Sequence, residues 1–321
     1  SNGGDFVISD NPSLTSVQEF NNTNFIGNVN FTVENNYALG SLDGINLGDS
    51  VTSILIADNF SLSSIEALSN IKTVSWFINI NHNSSLTSLQ GLHNLSSIFS
   101  LSISDNANLV TLSGLYNLSS FSSGLTIDNN VNLLSFSGLE NLTYCGVYLY
   151  ITNNTSLTSI KALSNTKFKE YLVPPEYRGP VLKTIGNNSL VSLDGLKGLN
   201  IIYSYLDQVD RYYTVAYYSE ISDNPKLISI DALKNVVIIT TPFTIKTNNA
   251  LEALNGLDNL ELLPDSTDGG FLEILDCKSL NDYCAFQESF YQNPENNKKF
   301  KFSGNKYNPT VENLRDGNCS Q

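Results

Sequence analysis

Along most of the chain, apolar residues recur in one order: an aliphatic pair two apart, an Asn three residues later, then Leu or Ile at steps of three. Leu101, Ile103, Asn106, Leu109, Leu112 and Leu115 carry it in one copy. LTIDNNVNLLSFSGLENL (Leu125 to Leu142) and LYITNNTSLTSIKAL (Leu149 to Leu163) repeat it at a period of about 24 residues. The alternating start predicts a short strand, because strand side chains change face every residue. Steps of three fit neither an α-helix nor a strand. They predict a chain that turns a corner every few residues and points one side chain inward at each. Copies this similar stack on one another, so the fold is expected to be a solenoid, with function on exposed faces and at breaks in the repeat.

The Asn positions run Asn11, Asn36, Asn59, Asn83, Asn106, Asn130, Asn154, Asn188, Asn224, Asn248 and Asn305, with Cys277 in the place before the last. A buried amide needs its donors and acceptors matched. At an inter-strand spacing of about 4.8 Å, each Asn can bond its own corner and its neighbour's, which predicts an inward Asn ladder. The residues just before these Asn read Asp10, Asn35, Asp58, His82, Asp105, Asn129, Asn153, Asn187 and Asp223. No two adjacent turns carry Asp there, as expected of a solvent-facing column in which stacked like charges would repel. Local Asx-type turn bonding is the expected role. A calcium column would need six or more converging oxygens.

These residues resemble the leucine-rich-repeat superfamily, most closely the receptor L-domain type. The shared pattern is I-x-x-N-x-x-L-x-x-L-x-G-L-x-N-L, as in INHNSSLTSLQGLHNL (Ile80 to Leu95) and Ile103 to Leu118. The resemblance covers about Phe6 to Asn313. It implies a mainly β fold: a right-handed β-solenoid of about 11–12 turns with one long parallel sheet. The tail, LEILDCKSLNDYCAF followed by FKFSGNKYNPTVENLRDGNC, is similar to the end of secreted or surface repeat proteins of Bacteroidota. That family pattern carries a further Cys near Asn308, which this chain lacks. The expected organisation is a tether or tag remnant (1–5), the solenoid (6–276) and a Cys-containing C-terminal cap (277–321). Such solenoids bind many unrelated partners, so the resemblance names no ligand.

Composition narrows the partners. A net charge of -14 and a pI near 4.4 exclude a nucleic-acid binder, which needs Lys and Arg for phosphates. No apolar run is long enough to cross a bilayer. The chain has no Met, as expected of a processed or trimmed form, and a lipid-modified Cys before Ser1 would make it a lipoprotein. Three of the four Cys fall near the end of the chain, where a solenoid needs a cap, and read as a disulfide staple made in an oxidising compartment. Cys284 with Cys319 is the preferred pair and Cys277 with Cys319 the second. Cys145 is about five turns from Cys277, too far to bridge it, and reads as a buried thiol. His82 and His93 are far from the Cys cluster, so no zinc site or other metal site is expected, nor any cofactor.

The repeat breaks twice in succession, in about 166–184 and 201–219. These insertions carry eight of the 16 Tyr: Tyr171, Tyr177, Tyr203, Tyr205, Tyr212, Tyr213, Tyr217 and Tyr218. Arg178 and Arg211 lie among them. Tyr and Arg supply large contact area with polar handles, and Tyr faces stack on sugar rings. Successive turns are neighbours, so the two insertions should emerge together. A second face is the outward sheet column, small and polar, with Tyr150 as its one aromatic. No nucleophile motif, phosphate loop or metal cluster marks an enzyme, and Asp207 and Asp210 lack an opposed proton acceptor. The expected function is a non-catalytic binding module, secreted or on a cell surface, that recognises a protein, peptide or glycan. The expected location is the bacterial outer-membrane exterior, with a eukaryotic extracellular setting as the alternative. The alternative function is a structural or accessory subunit of a cell-surface nutrient-uptake or adhesion complex.

Overall fold

The computed structural model describes residues 4–22, 29–173, 176–178, 180–202, 206–207, 215–216, 218–239, 242–260, 272–288 and 300–321. The chain is mainly β and forms two compact units. Ser1–Gly146 with Thr152–Leu157 makes one, and Val147–Ile151 with Thr158–Gln321 the other. Each is built of β-solenoid turns around a parallel sheet.

In the first unit the strands Asp5–Ser9, Asn30–Glu34, Ser53–Ala57, Thr73–Asn81, Ser97–Ser104 and Ser120–Asp128 pair in sequence order, all parallel. Their register aligns Ile8, Val33, Ile56, Ile80, Ile103 and Ile127 in one inward row. The sheet starts at Asp5, inside the stretch expected to be a tether. The steps of three have a specific cause. Leu109 N–H donates to the Asn106 carbonyl at 3.0 Å, Leu115 to Leu112 and Leu118 to Leu115 at 2.9 Å. These are i to i+3 turns, including the 3₁₀ segment Ser113–Leu115, interrupted at Leu112, whose N–H donates to the Ser137 carbonyl of the next turn at 3.0 Å. Three residues per turn return every third side chain to the same side, and Leu109, Leu112, Leu115 and Leu118 are all fully buried. Each such Leu contributes about 1.5–3 kcal/mol by leaving water. The Gly of G-L-x-N-L is there for space: a Cβ on Gly138, at φ 111°, would overlap the Leu112 carbonyl of the preceding turn.

The Asn ladder forms as the spacing requires. In the first unit Asn36, Asn59, Asn83, Asn106 and Asn130 each donate a backbone N–H to the amide oxygen of the next Asn, at 3.0–3.2 Å, ending on Asn154. Each Nδ2 bonds two backbone carbonyls, one on its own turn and one on the turn before, as Asn106 does with Ser104 and Ile80 at 2.9 Å. The residue before each ladder Asn adopts the left-handed region, with φ 50–58° from Asp10 to Asn153. Asp, Asn and His tolerate that region better than most L-residues.

The second unit pairs Val181–Ile185, Ser219–Ser222, Phe243–Lys246, Leu272–Leu275 and Phe300–Ser303, again parallel. Its ladder begins on Asn187, not Asn188. Asn187 is fully buried and its N–H reaches Asn224 Oδ1 at 3.0 Å, whereas Asn188 is exposed. From Asn36 to Asn248 every ladder Asn has a core Leu three residues on, and Asn187 reaches Leu190 that way. Gly186, at φ 69°, takes the left-handed place that Asx residues fill elsewhere. Asn224 bonds Asn248 at 3.2 Å. Cys277 fills the next place, its N–H on Asn305 Oδ1 at 2.8 Å and its thiol facing the Leu275 carbonyl. The ladder closes on Asn308, which accepts the Asn305 N–H at 3.2 Å.

The cap is held by the Cys284–Cys319 disulfide, and Cys145 and Cys277 are buried thiols outside any disulfide. Tyr283, Phe286, Phe300 and Phe302 pack ring on ring over the last turns, with centroids 4.9–6.2 Å apart. The short helix Val311–Arg315, capped by Thr310, follows. Among the described residues no helix is long and apolar enough to cross a membrane.

Candidate functional site

Both breaks in the repeat leave the second unit as antiparallel ribbons. Tyr171–Val173 pairs with Glu176–Arg178, so Tyr171, Tyr177 and Arg178 of the candidate set lie on the two strands of one hairpin. Leu206–Asp207 pairs with Val215–Ala216 in the second. Tyr203, Tyr205, Arg211, Tyr212, Tyr213 and Tyr217 lie outside the described residues. Both insertions are shorter than the sequence suggested. Val181–Thr184 belongs to the sheet, and Ile201–Ile202 pairs in parallel with Ile238–Ile239 as part of the regular turns. The first hairpin ends shortly before Val181 and the second shortly before Ser219. The strands starting at those two residues are hydrogen-bonded neighbours, so the hairpin bases lie side by side.

Next to those bases the outward face of the sheet carries an aromatic cluster. Tyr148 and Tyr150, two apart on Tyr148–Thr152, project to the same face, with ring centroids 5.0 Å apart. Lys183 lies on the strand Val181–Ile185. Its Nζ is 5.3 Å from the Tyr150 centroid and 4.5 Å from that of Tyr218, an exposed ring at the foot of the second hairpin. Both distances are in the cation–π range. Tyr148, Tyr150 and Lys183 are half-buried. The sequence pointed to Tyr150 but missed Lys183, which sat unrecognised inside the first insertion. The signal was the inward Leu182 and Thr184 on either side of it, the alternation of a sheet strand.

No protein-family model matches the chain, and no curated protein matches it. The reading of this site rests on its own geometry.

Apart from Leu55, the remaining outward positions of this column are polar or paired. In the first unit the column runs Thr32, Leu55, Asn79, Ser102 and Thr126. In the second a column of its own runs from Lys183 through Glu220, Thr244, Glu273 and Lys301, where Lys301 and Glu273 form a 2.8 Å ion pair. The left-handed column pairs each Asp with a neutral or cationic neighbour. Asn35 Nδ2 donates to Asp10 at 3.0 Å and Asn129 Nδ2 to Asp105 at 2.6 Å. His82 lies between Asp105, at 3.5 Å, and Asp58, at 3.9 Å. These are inter-turn contacts of exposed side chains. His93 stacks on Tyr116. Burial pushes the Cys145 thiol up to about 12 and that of Cys277 up to about 11, so neither is poised as a nucleophile. Among the described residues no group of three or more His, Cys, Asp or Glu is placed to hold a metal.

Proposed function

We propose that this chain is a non-catalytic extracellular binding module that recognises its ligand with the two Tyr-rich hairpins and the Tyr150 face beside them. The observation that carries the reading is the side-by-side origin of both hairpins, next to a surface cluster of three Tyr and a Lys. Regular turns spend their residues on core and ladder. Residues added outside that pattern are free to serve recognition, and Tyr gives contact area at low conformational cost. The Cys284–Cys319 bridge supports an oxidising, extracytoplasmic location.

The test is a glycan array and a display library of cell-surface proteins, each presented with the full chain and with a variant in which Tyr205, Tyr212 and Tyr213 are all Ala. Binding is expected to be lost in the variant while the thermal midpoint moves by no more than a few degrees. Unchanged binding by the triple variant would refute the assignment to the hairpins.

A further inference from the structure

We infer that the cluster of Tyr148, Tyr150, Lys183 and Tyr218 is a subsite for an acidic sugar residue, one carrying a carboxylate or a sulfate. The inference rests on the binding-module reading and names its ligand class.

The first observation is the state of Lys183. Three described lysines of this acidic chain sit on carboxylates: Lys72 on Asp49, Lys278 on Asp276 and Lys301 on Glu273. Lys183 has Glu220 directly beside it in the sheet register. Among the described residues it nevertheless forms no ion pair or hydrogen bond, and its Nζ is held by the Tyr150 and Tyr218 rings. A ring face attracts an ammonium but takes none of its hydrogen bonds to oxygen. Three N–H donors of a positioned, half-buried cation are therefore available to an incoming anion. A charge-assisted bond made beside rings that shed water is stronger than one made at an open surface.

The second observation selects a saccharide over a peptide. Peptides dock on folded domains by adding to a free sheet edge, by laying a helix or a Pro-rich segment in a groove, or by presenting an acidic motif to a cluster of Arg. Among the described residues Lys183 has no free edge, groove or Arg cluster beside it. Its strand is bonded on one side to Ser219–Ser222 and on the other through the Val181 N–H to the Val147 carbonyl at 2.9 Å. What remains is a sheet face that offers ring carbons and one ammonium. A pyranose matches these with its C–H face and an acidic substituent.

The experiment titrates the full chain by calorimetry with uronate-, sulfate- and sialyl-bearing oligosaccharides, each beside its neutral counterpart (methyl ester, desulfated or asialo). At least one acidic form is expected to bind ten- to a hundredfold more tightly than its neutral counterpart, the worth of one charge-assisted contact, and to weaken as salt is raised. Lys183→Met keeps the stem against the rings and should remove that preference, whereas Lys183→Arg should keep most of it. Equal binding of acidic and neutral forms overturns the inference but leaves the module reading standing, as does unchanged acidic binding by Lys183→Met. Capture of an acidic peptide with no oligosaccharide bound overturns it too. If no ligand of any class binds and the Tyr205/Tyr212/Tyr213 variant behaves as the parent, both readings fall.

Discussion

Replacing one ladder Asn is the sharpest probe of what holds the turns together. Asn106 is fully buried. Its Nδ2 donates to the Ile80 and Ser104 carbonyls at 2.9 Å, and its Oδ1 accepts the Asn83 N–H at 3.1 Å. Asn106→Ala removes one partner from each of three backbone groups without letting water in, and the Ser104 carbonyl keeps the His82 N–H at 3.1 Å. Each buried polar group left unpaired costs about 1–3 kcal/mol. Carbonyls tolerate under-satisfaction better than an N–H does, so the sum expected from the Asn83 N–H and the Ile80 carbonyl is about 2–4 kcal/mol, a large share of the roughly 5–15 kcal/mol typical of a folded domain. Asn108 is exposed two residues away, and Asn108→Ala should cost less than about 0.5 kcal/mol. Asn106→Cys should cost less than Asn106→Ala, because Cys277 fills a ladder place with its thiol toward the Leu275 carbonyl. Urea unfolding gives the energies, and amide hydrogen exchange gives the location: Asn83 N–H should exchange faster in Asn106→Ala. If Asn106→Ala costs no more than Asn108→Ala, or the Asn83 amide keeps its protection, the ladder is not what secures adjacent turns.

Three further outcomes follow from the same contacts. The Cys284–Cys319 bridge closes a 35-residue separation, so reduction or Cys284→Ser should cost about 4 kcal/mol on the chain-entropy estimate, read as a lower thermal midpoint with reductant. Burial raises the Cys145 thiol from its ordinary value to about 12. The folded state thus holds a proton the unfolded state sheds near pH 9, and stability is full below pH 9 and falls as pH climbs toward 12; denaturation midpoints at pH 8 and 10.5 should show the drop, and Cys145→Ala should reduce it. Asn129→Asp replaces the 2.6 Å donor to Asp105 with a second carboxylate, which should cost about 1–2 kcal/mol at low salt and less in 0.5 M NaCl, about the ionic strength at which such repulsion is screened; a salt-independent loss in urea titrations would mean the column is not electrostatically coupled.

The solenoid was legible because every regular turn buries the same side chains. Leu101, Ile103, Asn106, Leu109, Leu112 and Leu115 each have one structural job, and repetition makes the job visible in one dimension. The cap was legible for a related reason, since Cys284 and Cys319 are conspicuous at an end that needs closing. The ladder position in the first irregular turn was not. Asn187 and Asn188 stand together, and Gly186 replaces the polar residue that marks the left-handed corner elsewhere. Only the distance to Leu190 separates the two, and that test depends on trusting the Leu more than the Asx pair.

The site was half legible for a physical reason. Repetition reports residues that face the core, because burial restricts them, and it is silent on outward positions, which any soluble side chain satisfies. Tyr150 stood out only as an aromatic among Ser and Thr. Lys183 did not stand out, because its meaning lies in a neighbour 33 residues earlier and another at the foot of the next turn's hairpin. In a solenoid, residues one turn apart in sequence become neighbours about 4.8 Å apart across the sheet. A single insertion shifts the count and hides the column from a fixed-period reading. Departures from the repeat therefore do two things together: they add the hairpins, and they disguise the surface beside them. Re-registering the sequence on Asn187 instead of Asn188 brings Lys183 beneath Tyr150, and the two halves of the site meet.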